Sequence, residues 1–108
     1  PGHAAWQKLC CTTEQPHGAA AGIVSVIIDD AYTQDQVDAF CESLRIFKIG
    51  YSWGGPISLV MAYDVAGMRN PWPQHLRRGK LVRLCTGLED AADLLADLEQ
   101  AICRLPKP

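Results

Sequence analysis

The stretch KLVRLCTGLEDAADLLADLEQAI, Lys80 to Ile102, decides the fold. Its first half reads as a strand, Lys80 to Gly87. Period two puts Leu81, Arg83 and Cys85 on one face and Val82, Leu84 and Thr86 on the other. Its second half reads as a helix. Asp90 is a capping residue. Ala91, Leu94, Leu95, Leu98 and Ala101/Ile102 form an apolar stripe that Leu105 extends. Glu89, Asp90 and Asp93 crowd the N-terminus, where negative charge favours the helix dipole. Pro106 stops the helix. A strand that feeds straight into an amphipathic helix belongs to a layered sheet-and-helix domain.

Working outward, the same alternation of elements recurs upstream. GIVSVIID (Gly22 to Asp29) is β-branched and apolar, and predicts a strand buried on both faces or nearly so. Thr33 and Gln36 form a capping box. Val37, Phe40, Cys41 and Leu44 then recur at helical spacing. Arg45 to Ile49 reads as a second strand and Ser58 to Tyr63 as a third. Gly67 to Gly79 reads as a loop in which Pro71 and Pro73 flank Trp72, with a short helical turn over Gln74 to Arg77. The first twenty or so residues read as irregular, although Trp6 argues that part of them packs on something. The predicted order is β-α-β-β-β-α. This is an α+β domain, with an antiparallel or mixed sheet of about four strands covered by helices on one face. It divides into an irregular lead-in, 1–21, and a folded part, 22–108.

Composition bounds the function. A chain of 108 residues is one domain with a modest core. Hydrophobic residues make up 48% and charged residues 20%, an ordinary globular balance. The net charge of −2 recommends no nucleic-acid surface. No apolar run reaches membrane-spanning length. The first residues lack the basic-then-apolar order of a secretory leader. The five cysteines (Cys10, Cys11, Cys41, Cys85, Cys103) are odd in number and irregularly spaced. That argues against a disulfide framework and for a reduced, cytoplasmic protein. Cys41, Cys85 and Cys103 sit in apolar patterns and read as small buried hydrophobes. The Cys10-Cys11 pair, with His3 and His17 nearby, matches no zinc spacing.

Two features could carry chemistry. Arg83 lies inside a strand. It is either a solvated side chain or a guanidinium fork held rigidly for a carboxylate. Tyr51-Ser52-Trp53-Gly54-Gly55 is either an aromatic-rich turn or a loop whose backbone approaches a ligand, walled by Tyr51 and Trp53. Spacing decides neither. There is no phosphate-binding glycine loop and no GxGxxG. His3, His17 and His75 fall in irregular segments and complete no catalytic triad. The carboxylates around the last helix read as capping and solubility.

GYSWGGPISLVM followed by KLVRLCTGLEDAADLLADLEQAI resembles the C-terminal domain of the Cys/Met-metabolism pyridoxal-phosphate (PLP) enzymes. That family's ending has a Ser-x-Gly-Gly loop, a Leu-x-Arg-Leu strand, Gly-Leu-Glu-Asp and an Asp-Leu helix. Here these are Ser52 to Gly55, Leu81 to Leu84, Gly87 to Asp90 and Asp97-Leu98. The resemblance runs from about Pro16 to Leu105. It implies the small domain of a fold-type-I enzyme with PLP as cofactor. The Tyr-Ser-Trp-Gly-Gly version is similar to that of cystathionine β-lyases, whereas the γ-acting members more often have Leu where Trp53 stands.

The resemblance further implies site roles. Arg83 would pair with the substrate α-carboxylate, with Ser52 beside it. Tyr51 and Trp53 would shape the substrate side of the pocket. One departure stands at Ile57, where the family usually has Glu before Ser-Leu; this puts loop contacts in doubt. A larger one is the Schiff-base Lys, which the family carries in Ser-x-Thr-Lys. None of Lys8, Lys48, Lys80 or Lys107 has that context. The resemblance therefore implies no catalytic, cofactor-binding or metal residue in this chain. The expected partners are an upstream PLP-binding domain of the same enzyme, an amino-acid substrate and, for the full enzyme, identical subunits. The chain alone is expected to be inert. The alternatives are a γ-synthase or γ-lyase piece, or a binding or assembly domain that kept the scaffold without the chemistry.

Overall fold

The computed structural model describes residues 2–18 and 21–107. Its elements are α1 (His3–Cys10), β1 (Ile23–Asp29), α2 (Gln34–Ser43), β2 (Lys48–Ile49), β3 (Leu59–Tyr63), α3 (Val65–Met68), β4 (Gly79–Cys85) and α4 (Ala91–Ile102). The strands form one sheet in the order β1-β4-β3-β2. β4 runs antiparallel to both neighbours, and β2 is parallel to β3. The sheet is therefore mixed and four-stranded, and the domain is α+β.

The register fixes the two faces of the sheet. Arg83 lies opposite Ser25 on β1 and Met61 on β3, so these three share a face with Leu81 and Cys85. Val82, Leu84 and Val60 point the other way, into the core that α2 and α4 cover. From α2 come Val37, Phe40 and Cys41, from α4 Leu94 and Ala101, and Leu44 and Phe47 close the end. Phe47, Val37, Val60 and Val82 are fully buried. Removing each from water contributes about 1.5–3 kcal/mol, before the chain-ordering entropy that burial must exceed.

The caps form as the sequence predicts. Thr33 and Gln36 bond reciprocally as a capping box, and Asp90 accepts from the Ala92 amide at 2.9 Å.

Several expectations are corrected. The lead-in is not irregular throughout: α1 occupies His3–Cys10. Ala4, Ala5, Gln7, Lys8 and Leu9 are all good helix formers. Trp6 packs on the turn after α1, where a Cβ at Gly18 would sit 2.6 Å from its ring. β1 is not buried on both faces. Among the described residues it is an edge strand paired only with β4, and Val24 and Val26 remain 51% and 41% exposed.

The second strand shrinks from Arg45–Ile49 to Lys48–Ile49, because the amides of Arg45, Ile46 and Phe47 are held by a carboxylate instead of a ladder. α3 adds a short helix between β3 and β4. The region 74–77 makes only a turn, with Leu76 N–H donating to the Pro73 carbonyl. Leu95, Ile102 and Cys103 are exposed, so the stripe of α4 is narrower than its apolar residues imply.

Candidate functional site

Arg83 stands on the face of the sheet opposite the α2–α4 layer. Its strand is central, with a hydrogen-bonded neighbour on each side, so its backbone cannot drift. The side chain is half-buried. The guanidinium lies 5.6 Å from the ring centre of Tyr63, a cation–π distance, and donates to the backbone carbonyl of Tyr51. The strand thus delivers Arg83 to the first residue of the Tyr-Ser-Trp-Gly-Gly loop. It is not a free side chain in solvent.

The loop leaves β2 at Gly50 and rejoins the sheet at β3. Tyr51, Ser52 and Trp53 follow one another along it, and all three are exposed. Tyr51 and Trp53 are 79% and 65% exposed, so they enclose nothing within this chain. Gly54 has a positive φ of 76°, which explains the first glycine as a turn residue. A Cβ at Gly54 or Gly55 would meet nothing within 4 Å. No part of the chain itself therefore requires close approach at these two glycines. A cavity of about 400 Å³ does adjoin Trp53, Gly54 and Gly55, with Gly22, Cys85 and Leu88 on its other sides. Arg83, Tyr51 and Ser52 do not line it.

The loop is fastened from below. The Glu89 carboxylate accepts from the Ser58 amide at 2.9 Å and from the Ser58 hydroxyl at 2.7 Å. Ser58 is fully buried, and its Oγ accepts in turn from the Gly87 amide at 2.8 Å. Leu88 N–H donates to the Pro56 carbonyl at 2.9 Å, and Gly54 N–H lies 3.4 Å from the Cys85 sulfur. The bonds from Ser58, its amide first, hold the Glu89 carboxyl below the usual carboxylate range.

The segment before the loop is fastened similarly. Asp97 Oδ1 accepts from Arg45 N–H at 2.8 Å, and Oδ2 from Ile46 and Phe47 N–H at 2.7 and 3.1 Å. Gln100 Nε2 bonds Asp97 Oδ1 at 3.2 Å and the Ser43 carbonyl at 2.8 Å. Burial pushes the Asp97 carboxyl up, but these bonds outweigh it and hold the group below its ordinary range. Asp97 and Glu89 are therefore structural anchors, which corrects their reading as capping and solubility residues. A signal for Asp97 existed. It shares the i, i+3, i+7 stripe with Leu94 and Ala101, where a solubilising residue would be out of place. No local signal marked Glu89, whose partner Ser58 lies 31 residues away.

The four lysines, Lys8, Lys48, Lys80 and Lys107, are all among the described residues, and Lys107 is an exposed residue after α4. Lys80 lies on the helix-covered face and pairs with Asp30 at 2.9 Å. Lys48 donates to the Arg45 carbonyl at 2.7 Å, and Lys8 is in α1. By register Lys48 lies opposite Leu59 and so on the Arg83 face, but its ammonium is directed to the Arg45 carbonyl. Among the described residues, no group of three or more His, Cys, Asp or Glu could hold a metal ion, and no helix is long and apolar enough to cross a membrane.

Residues 2–103 match the family model of Cys/Met metabolism PLP-dependent enzymes. The chain belongs to that family. It is 37% identical over 106 residues to a cystathionine beta-lyase of Bordetella avium, covering 96% of this chain and 24% of that protein. It is 36% identical over 87 residues to an L-alanine/L-glutamate racemase of Wolbachia pipientis, covering 81% of this chain and 22% of the relative. Among solved structures it is similar to metB from Corynebacterium glutamicum, with a TM-score of 0.57 and 34% identity over 79% of this chain and 22% of that one. The chain thus spans about a quarter of the length of the relatives it matches. The family's cofactor is PLP. The residues present do not fit its covalent site: no lysine stands in the family's Ser-x-Thr-Lys context, and Lys48 and Lys80 are engaged by the Arg45 carbonyl and Asp30.

Proposed function

We propose that this chain is the substrate-carboxylate-binding part of a PLP-dependent carbon–sulfur lyase of the cystathionine β-lyase kind. The observation that carries the proposal is Arg83, mounted on a central strand and aimed at the Tyr51–Gly55 loop on the face of the sheet that α2 and α4 leave uncovered. A guanidinium so placed offers a planar fork to an amino-acid carboxylate. Its contact with the Tyr51 carbonyl fixes the fork's direction. Ser52 supplies a hydroxyl one residue further on, and the rings of Tyr51 and Trp53 provide apolar surface for the thioether side chain.

PLP, when bound, supplies the electron sink for carbanion chemistry. In this proposal it is held by another region of a longer enzyme, upstream in the chain. Here Arg83 orients the substrate by its carboxylate, which sets the angle of the Cα–H bond. Orientation of this kind lowers a barrier without any new covalent step. The reaction breaks the Cβ–S bond, releasing the thiol, and one water hydrolyses the remaining enamine/imine to pyruvate and ammonia. The full enzyme assembles from identical subunits.

The test is product analysis with cystathionine and the full-length enzyme that carries this domain. The proposal expects pyruvate. 2-Oxobutyrate would instead make it a γ-lyase, and no keto acid at all would favour a binding domain on the same scaffold. The 108-residue chain alone, given PLP and borohydride, should show no stoichiometric labelling of a single lysine.

A further inference from the structure

The position of the Tyr51–Gly55 loop has to be maintained by something. Its own sequence does not do it, because Tyr51, Ser52, Trp53, Gly54, Gly55, Pro56 and Ile57 are all exposed. The first buried residue after them is Ser58. What holds Ser58 therefore sets where the loop returns to the sheet. Glu89 takes both of its donors, one on each carboxylate oxygen, and Ser58 Oγ passes the restraint to Gly87.

The turn after β4 is in this way tied to the strand before β3, and Leu88 N–H to Pro56 O adds a backbone link between the same two segments. The fit is tight. A Cβ at Gly87 would lie 2.2 Å from the Pro56 carbonyl oxygen and 2.7 Å from Glu89 Oε2. Arg83 is four residues from Gly87 on the same strand and turn. This polar junction therefore helps to set the distance from Arg83 to Ser52, together with the Arg83–Tyr51 carbonyl bond and the Gly54–Cys85 contact.

We infer that Glu89 is a positioning residue for substrate binding, acting through Ser58 and Gly87 to hold the Tyr51–Gly55 loop against Arg83. It touches neither substrate nor cofactor. The inference rests on the proposed carboxylate-binding role of Arg83, and its test separates the two. Ile57 stands where the resemblance leads one to expect an acid in the loop itself. In this chain the acid that fastens the loop comes from the turn before α4.

The substitutions are Glu89→Ala, Ser58→Ala, Gly87→Ala and Glu89→Gln. Gln keeps an acceptor for the Ser58 amide and can donate to Ser58 Oγ, so it is the conservative variant. In the full-length holoenzyme, amide hydrogen exchange is followed at Leu88 and Gly54, which are not partners of Glu89, and at Val60 and Val82 in the sheet. Glu89→Ala should speed exchange at Leu88 and Gly54 at least tenfold while Val60 and Val82 change little, and Gln should restore most of the protection. Equal acceleration everywhere means global destabilisation and overturns the inference, as does unchanged protection at Leu88.

In the full-length holoenzyme, kcat/KM per bound PLP should fall about tenfold or more in the three disruptive variants, mainly through KM, with Gln intermediate. Unchanged kinetics alongside a loosened loop would also overturn it. If the unsubstituted enzyme processes no amino-acid thioether, the proposed function fails, and the exchange pattern still decides whether Glu89 holds the loop.

Discussion

Asp97 offers a quantitative test of how this small domain is held together. Replacing it with Ala removes the acceptor for three backbone amides and for Gln100. A hydrogen bond to a charged group contributes about 1.5–3 kcal/mol, and a buried donor left unpaired costs about 1–3 kcal/mol. The Phe47 amide is in the core, whereas Arg45 is exposed enough for water to replace part of its bond. Counting Phe47 in full and the others in part, Asp97→Ala should cost about 3–5 kcal/mol. At roughly 4–8 °C per kcal/mol for a chain near this size, Tm should drop by roughly 12 °C or more.

Asp97→Asn keeps one oxygen for Ile46 and Phe47 but turns an NH2 toward the Arg45 amide, so about 2 kcal/mol is expected. The pH dependence has a definite sign. The folded carboxyl lies below its ordinary value of 3.8, so its contribution is complete above that value and fades as pH falls below it. The advantage of the unsubstituted chain over Asp97→Asn should be constant between pH 7 and about 5 and close at lower pH. Urea unfolding followed by circular dichroism at pH 7 and at stepped acidic values measures both. A cost of Asp97→Ala below about 1 kcal/mol would refute the anchoring argument, as would an Asn gap that ignores pH.

Two further outcomes follow from particular atoms. Gly79→Ala should destabilise by more than about 1 kcal/mol, because its Cβ would fall 2.0 Å from the Ile28 carbonyl oxygen across the β1–β4 pairing; an unchanged urea midpoint would contradict that register. Iodoacetamide at pH 8 should label exposed Cys103 early and Cys41 only after unfolding. Cys41 is buried, and burial, followed by the charges of Asp38 and Glu42, pushes its thiol up to about 11. Peptide mass spectrometry reads the order, and early labelling of Cys41 would contradict the core described here.

β4 and α4 were legible because period two and period 3.6 stand side by side, with Asp90 between them. The Thr33–Gln36 box was legible because a cap is a local contact. β1 was misread because an apolar, β-branched run looks the same at an edge as in a centre. Only pairing with β4 alone shows that it is the former. The second strand was overestimated because Asp97, 50 residues from Phe47, takes amides that a ladder would otherwise use. At the site, alternation placed Arg83 on the face away from Val82 and Leu84. It could not show that the guanidinium meets Tyr51, and it could not name a ligand. That came from matching motifs. Glu89 escaped notice because a carboxylate ahead of a helix already has a sufficient local explanation in the helix dipole.

The central claim is that Arg83 grips the substrate carboxylate. It is tested most directly by Arg83→Lys in the full-length enzyme, because Lys keeps the charge and removes the fork. Losing one charge-assisted hydrogen bond of about 1.5–3 kcal/mol corresponds to a fall in kcat/KM for cystathionine of about 10- to 100-fold at unchanged PLP content. A kcat/KM within twofold of the unsubstituted enzyme would contradict the claim.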